Sequence, residues 1–266
     1  MSTILFSSPI FGPVQSRRLG VSLGVNLLPS DGKLCTFDCI YCECGFNADT
    51  KPKLRIPTRE QVAEVLEQKL QEMERAGRGP DVITFAGNGE PTMHPDFPGI
   101  IDDTIALRNQ YFPKAKISVL SNATYCHQPA VHEALRKVDN NILKLDTLSN
   151  DYIQLVDRPV LRYDAEEMVE RFCAFEGKVQ VQTLFMCGEY EGQSVDNTAS
   201  SFVDPWLKAL QRIRPEAVYI YTIDRDTPAK GLLKASPAVL DAIGERVRAL
   251  GMLRFVLIFT ENQEYS

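Results

Sequence analysis

Short runs rich in Val, Ile and Leu alternate along the chain with longer stretches whose apolar residues recur at three- and four-residue spacing. The apolar runs at 21–28, 81–86, 116–120, 141–145, 178–184, 217–222 and 254–259 read as strands. The stretches between them read as helices, at about 97–111, 129–137, 163–175, 202–213 and 237–250, with another opening at Thr58. That opening has a sequence signature. Thr58-Arg-Glu-Gln61 is a capping box, and Val62, Leu66, Leu70 and Met73 follow as an apolar stripe. Gly77 and Gly79-Pro80 then stop the helix. Strands alternating with helices imply crossover connections and a parallel sheet.

About six strand–helix units precede the final strand, fewer than the eight of a closed barrel. The expected fold is α/β: a partial (β/α)6 TIM-like barrel with a parallel sheet, plus a short C-terminal strand. A doubly wound sheet is the alternative arrangement. No linker, repeat or low-complexity segment interrupts the pattern, so a single domain over 1–266 is expected, with its core at about 17–225 and a C-terminal helix and strand at 236–260. In either arrangement, functional side chains belong at the carboxyl ends of the strands.

Composition narrows the classes. With 44% hydrophobic and 24% charged residues the chain can bury a sizeable core under a charged surface. No run approaches the ~18–20 apolar residues that span a bilayer, so no membrane partner is expected. A net charge of -6 and a pI near 5.3 do not favour nucleic acid, although a local basic patch stays open. Ser16-Arg17-Arg18 ahead of 19–28 faintly resembles a twin-arginine export signal. The stretch holds two glycines, a serine and an asparagine, and no small-residue cleavage site follows, so it reads as the first strand and the expected location is cytoplasmic.

Seven cysteines are present, and four of them, Cys35, Cys39, Cys42 and Cys44, fall within ten residues, while Cys126, Cys173 and Cys187 are scattered. A tight cluster within an odd count points to metal chemistry rather than disulfides. The segment runs Cys35-Thr-Phe-Asp-Cys39-Ile-Tyr41-Cys42. Thiolates suit iron–sulfur clusters and zinc. Three of them can hold three irons of a cubane and leave the fourth iron for a small molecule. Two other readings compete: a structural zinc site completed by Cys44, which is cramped for one loop, and an electron-transfer cluster, which normally needs four protein ligands.

Further candidates sit where strands end. Gly87-Asn88-Gly89-Glu90-Pro-Thr92 offers glycines that let a ligand approach the backbone and a carboxylate that can pair with an ammonium group, although a tight turn would look the same. Ser121-Asn122-Ala-Thr124 offers short polar side chains suited to ribose hydroxyls. Asp146, in Lys144-Leu-Asp146-Thr147, is a further hydrogen-bond acceptor, with helix capping as the rival role. Arg158 and Arg225 can bind an anionic substrate bidentately, and Asn197 lies in a third candidate substrate loop. Cys187 reads as a buried or incidental thiol and His94 as an inert loop histidine. His127 and His132 have no ligand spacing. Neither a Ser–His–Asp arrangement nor a phosphate-binding P-loop is present.

The cysteine segment matches every position of CxxxCx(aromatic)C and follows the first barrel strand, and in this it resembles the radical SAM superfamily. The turn 87–92 is similar to that family's GGE motif in its GxGEPT form, and 121–124 to its T-N-G-type sequence. The resemblance implies that Cys35, Cys39 and Cys42 hold a 4Fe-4S cluster whose open iron takes the amino and carboxylate groups of S-adenosyl-L-methionine (SAM). It implies that Tyr41 lies beside the adenine and that residues 87–90 hold the methionine amino group. Ser121, Asn122 and Asp146 become further cofactor contacts. A reduced flavodoxin or ferredoxin would supply one electron, SAM would split to methionine and a 5′-deoxyadenosyl radical, and the radical would take hydrogen from an unreactive substrate carbon.

Residues 16–26, Asp157-Arg-Pro and Tyr221-Thr-Ile-Asp-Arg225 resemble the bacterial proteins related to wyosine synthases, a likeness running from about residue 8 to 235. The tRNA-modifying wyosine enzymes usually carry extra basic segments and more N-terminal cysteines than this sequence has. A long cysteine-rich C-terminal extension, as in peptide maturases with auxiliary clusters, is also missing from it. The alternatives are a tRNA-modifying enzyme, an activase for a glycyl-radical enzyme, and a non-enzymatic iron–sulfur or zinc protein.

Overall fold

The computed structural model describes residues 4–16, 20–49 and 51–251, and the backbone of 255–258. Arg17, Arg18 and Leu19 of the arginine pair and its sequel, and positions 254 and 259 of the expected last strand, lie outside the described residues. Contacts group the chain into two units: Ile4–Phe37 with Phe46–Leu143, and Asp38–Gly45 with the chain from Lys144 onward.

The first unit opens with β1 (Ile10–Ser16), antiparallel to β2 (Gly20–Val25). Helix α1 (Arg59–Arg75) leads to β3 (Val82–Phe85), α2 (Phe97–Tyr111) to β4 (Lys116–Ser121), and α3 (Pro129–Lys137) to β5 (Asn140–Lys144). Strands β2 to β5 are mutually parallel, each paired with the next. The α1 capping box forms as read: Thr58 Oγ1 accepts from Gln61 N at 3.3 Å and Gln61 Oε1 accepts from Thr58 N at 2.8 Å. Val62, Leu66, Leu70 and Met73 are all buried, which is what drives the helix onto the sheet. Strands β3 and β5 are buried along their whole length, as strands covered on both faces must be.

The second unit comprises α4 (Asn150–Val156), α5 (Ala165–Cys173), β6 (Gln180–Leu184), β7 (Met186–Tyr190), β8 (Gln193–Ser194), α6 (Ser200–Ile213), β9 (Ala217–Tyr221), β10 (Leu232–Lys234), α7 (Pro237–Arg248) and β11 (Phe255–Ile258). Strands β6, β9 and β11 pair in parallel. Strand β7 pairs antiparallel with β8 and β10. The core of this unit centres on Trp206 of α6, fully buried, whose indole N–H reaches Thr183 Oγ1 at 3.0 Å and whose ring meets Phe185 edge-on at 5.4 Å.

The expected alternation is present: the helices at 97–111 and 129–137 have the expected bounds, and the ends of the other elements differ by at most three residues. Three features go beyond the reading: β1, the small antiparallel sheet of β7, β8 and β10, and α4. Strands β7, β8 and β10 are only two to five residues long, and β10 pairs with residues about 46 positions back in the sequence, so no periodicity marks them. Helix α4 has only seven residues and depends on a Ser149 cap, whose side chain accepts from Tyr152 N at 3.3 Å. No helix among the described residues is long and apolar enough to cross a membrane.

Candidate active site

In the first unit the approach to Cys35 is fixed by the turn after β3. Leu34 N donates to Asn88 O at 2.9 Å, and Glu90 N donates to Leu34 O at 3.2 Å. This parallel bridge requires a glycine at 89. A Cβ there would stand 1.8 Å from Leu34 O, and the residue has φ +140°. The close approach that the glycine permits is therefore to the backbone ahead of the cysteine loop. Asn88 is fully buried; its amide donates to Phe6 O and Pro29 O at 2.9 and 2.8 Å and accepts from Phe6 N at 2.8 Å. Gly87 has φ +141° and lies against the Asn26 side chain.

Glu90 is a buried carboxylate surrounded by donors. Its Oε1 accepts from Thr92 N, Thr92 Oγ1 and Ser121 Oγ at 3.0, 2.5 and 2.7 Å, and its Oε2 from Asn122 N at 2.6 Å. Burial raises its pKa against the opposing pull of these bonds. The carboxylate thereby ties the end of β3 to the end of β4, and holds Ser121 and Asn122 beside the cysteine loop. Asn122 Nδ2 donates to Thr36 Oγ1 at 2.8 Å and to Cys35 Sγ at 3.6 Å, and Phe37 N donates to the same sulfur at 3.4 Å.

In the second unit, residues 38–45 dock on the end of α4. Asp38 N donates to Asp157 O and Arg158 O at 3.0 and 3.2 Å, and Ile40 N to Val156 O at 2.9 Å. Tyr41 turns its hydroxyl into a buried charge cluster, donating to Asp146 Oδ2 at 2.6 Å and Asp157 Oδ1 at 3.1 Å. Lys144 bonds both carboxylates and the Tyr41 oxygen, and its ammonium lies 4.8 Å from the Tyr41 ring centroid. Cys39 Sγ donates to the same Asp157 oxygen at 3.5 Å. Asp146 also accepts from Leu184 N at 3.0 Å, at the end of β6.

The electrostatics follow from burial. Burial, reinforced by Asp146 and Asp157, pushes the Tyr41 phenol well above its usual range. Burial pulls Lys144 down, but the two carboxylates outweigh it and hold the ammonium charged. Burial pushes Asp157 up to about 6 against the attraction of Lys144, with Asp146 adding to the rise. Lys144 was not among the residues expected to act, although a lysine inside the apolar run at 141–145 was a visible signal. Thr36 was likewise missed; its hydroxyl meets that of Thr124, which the reading of 121–124 had included, at 2.7 Å.

The three expected substrate residues have different surroundings. Arg158 faces Asp38 at 3.5 Å and the Tyr190 hydroxyl at 3.4 Å. Arg225 pairs with Glu43 at 2.6 Å. Both arginines thus face acidic residues of the segment that carries Cys39 and Cys42. Arg225 also lines an open cavity of about 710 Å³ beyond β9, together with Asp224, Lys230 and Lys234. Asn197 is fully buried and braces β6 against β7, donating to Leu184 O at 2.8 Å and accepting from Met186 N at 3.0 Å. His94 tethers a loop through Pro57 O and Asp96 N. Cys44 and Cys126 are buried, and burial and then Asp196 raise the pKa of Cys187.

The donor set fits an iron–sulfur cluster. Cys35, Cys39 and Cys42 are partly exposed, in contrast to Cys44 and Cys126, and the Cys35 sulfur receives two N–H donors of the kind that stabilise a metal-bound thiolate. Among the described residues no three His, Cys, Asp or Glu side chains converge as on a single ion. A cubane does not ask for that convergence, because each thiolate takes its own iron.

Comparison with known proteins places this chemistry. The chain is 29% identical over 222 residues to a protein of Brachyspira hyodysenteriae named GTPase Obg, covering 82% of this chain and 30% of that one. It is 29% identical over 225 residues to a UPF0026 protein of Helicobacter pylori, covering 83% and 68%. In structure it resembles a radical SAM methyltransferase from Sphaerobacter thermophilus, with TM-score 0.65 and 14% identity over 92% of this chain and 68% of that one. Streptococcus suis SuiB bound to S-adenosylmethionine matches with TM-score 0.61 and 13% identity over 88% and 50%. An archaeal TYW1 matches with TM-score 0.51 and 12% identity over 86% and 71%. These likenesses show the fold: α/β, with mostly parallel strands, consistent with the partial TIM-like barrel. The family model "Radical SAM superfamily" matches residues 30–199, well over half of the sequence. The chain belongs to the radical SAM superfamily, whose members are enzymes that use a 4Fe-4S cluster and S-adenosyl-L-methionine.

Proposed function

We propose that Cys35, Cys39 and Cys42 hold the cluster, and that the turn 87–90 with Ser121 and Asp146 lines the SAM site. One observation carries this reading: the backbone bridge between Leu34 and Asn88–Glu90 fixes the start of the cysteine loop against the glycine turn. A cluster held by Cys35, Cys39 and Cys42 would supply the electron for reductive cleavage of SAM and so a hydrogen-abstracting radical. The residues of the chain align and shield. Glu90 holds the ends of β3 and β4 in register through its four acceptor bonds. Tyr41, Asp146, Asp157 and Lys144 form a buried, charge-compensated brace under Cys39, so the loop does not have to reorganise during turnover.

The substrate is read as a small molecule or nucleoside; the cavity beside Arg225 offers it Lys230 and Lys234 together with Asp224 and Asp226, a polar lining of mixed charge. The branch is read as wyosine-synthase-related from residues 16–26, 157–159 and 221–225, and the net charge of -6 weighs against a tRNA substrate. Flavodoxin or ferredoxin is the expected electron donor, the compartment is the cytoplasm, and residues 1–266 act as one domain.

The test is anaerobic. Reconstituted protein, reduced with dithionite in the presence of SAM, should release 5′-deoxyadenosine. Cys39→Ala should abolish release while leaving the far-UV circular dichroism unchanged. Full cleavage by Cys39→Ala would overturn the ligand assignment.

A further inference from the structure

We infer that Asn122 is a positioning residue for the sulfur of Cys35, and that its side-chain N–H sets the reduction potential of the cluster; this rests on the cluster assignment above. A strand-end asparagine was expected to reach a ribose, but its amide has no place left for one. A primary amide offers two hydrogens and two acceptor lone pairs. The hydrogens go to Thr36 Oγ1 at 2.8 Å and Cys35 Sγ at 3.6 Å. The lone pairs take Thr124 N at 3.1 Å and Thr124 Oγ1 at 2.8 Å. All four positions are filled within the protein.

The orientation of the amide is also determined. The backbone N of Thr124 can only donate, so it must face Oδ1, and that turns Nδ2 toward the cysteine loop. The backbone of Asn122 is held in turn by Glu90 Oε2 at 2.6 Å, and the residue is only 8% exposed. A buried N–H thus points at the sulfur of a proposed cluster ligand, from a side chain whose other bonds hold Thr36 and Thr124. The second donor to that sulfur, Phe37 N, belongs to the loop itself and is independent of residue 122.

A donor aimed at a cluster thiolate stabilises the reduced cluster more than the oxidised one, because the reduced form carries the greater negative charge on its sulfurs. Withdrawing the Asn122 donor should therefore make the cluster harder to reduce. Thr36 shares the amide without touching this bond, since it takes the other hydrogen.

The experiment is a redox titration of anaerobically reconstituted protein, followed by the electron paramagnetic resonance of the reduced cluster. Wild type is compared with Asn122→Leu, Asn122→Ser and Thr36→Val, after iron and sulfide have been measured in each. Asn122→Ser keeps a hydroxyl that can accept from the backbone of residue 124, so the turn persists while the donor no longer reaches the sulfur. Both Asn122 variants should shift the reduction equilibrium about tenfold toward the oxidised form, ~59 mV for one electron. Thr36→Val should not move in that direction. The potential is read from the loaded fraction, so partial loading does not obscure it. Loaded Asn122 variants with the wild-type potential would overturn the inference and leave the cluster assignment standing. Wild-type protein that takes up no iron and sulfide would overturn the assignment and the inference with it.

Discussion

Replacing Lys144 by Met should destabilise the protein severely, even without cluster or SAM. The ammonium is shared by two carboxylates whose side chains are 1% and 2% exposed, and Lys144 itself is 10% exposed. At the 3.0 Å separation from Asp157, an effective dielectric near 20 gives an attraction of about 5.5 kcal/mol before desolvation is charged against it. Met keeps most of the aliphatic stem, so packing changes little. The loss is electrostatic: two buried carboxylates remain with no cation on them, and the Tyr41 hydroxyl can quench only part of their charge. Breaking a buried pair from one side costs about 3–5 kcal/mol. For a protein of this size that is a large share of its net stability and a fall in melting temperature of about 6–20 °C. The assay is thermal unfolding of the cluster-free protein at pH 7, followed by far-UV circular dichroism and repeated in urea. Lys144→Met combined with Asp157→Asn should recover part of the loss, because a neutral amide needs no counter-charge while Asp146 still lacks one. A loss below about 1 kcal/mol, or a double variant no more stable than the single one, would refute the reasoning.

Two further outcomes follow from the glycine turn and the carboxylate beside it. Gly89→Ala should cost about 2–6 kcal/mol, combining a strained φ with a clash against Leu34 O, whereas Gly77→Ala, with φ +65° and nothing within 4 Å of the new methyl group, should cost about 1 kcal/mol; equal losses in urea titrations would contradict the bridge geometry. Glu90→Gln should be most damaging at low pH. The folded pKa of Glu90 is raised, so its contribution is fully present below the unfolded value and is lost as pH rises through the folded one. The stability gap between wild type and Glu90→Gln should therefore narrow with rising pH, and a gap that widens would show that Glu90 is held ionised more readily than a free carboxylate.

Local signals account for what was legible. The α1 stripe and its capping box are short-range, so Thr58, Gln61 and the four buried apolar residues announce themselves in the sequence. The cysteine spacing is local too, and it carries the family. Strand β8 is too short to carry a period, and helix α4 and β10 carry none because their stability comes from docking and pairing partners elsewhere in the chain. The site divides the same way. Glu90 was legible from its motif, but its link to Ser121 and Asn122 joins the ends of two strands. Arg158 and Arg225 were legible as cations, while their acidic neighbours Asp38 and Glu43 lie more than a hundred residues away in sequence.

By itself the sequence determined that strands and helices alternate, that three thiolates stand at cluster spacing, and that a glycine turn follows the next strand. Periodicity and spacing within a few residues are enough for each of these. Only the tertiary structure decided that Gly89 exists to admit a backbone, that the Asn122 amide is fully taken up, and that Lys144 balances two buried carboxylates. Those roles depend on which distant groups share a few ångströms. In a buried setting it is the neighbours of a polar side chain, and not its identity, that fix its charge and its bonds.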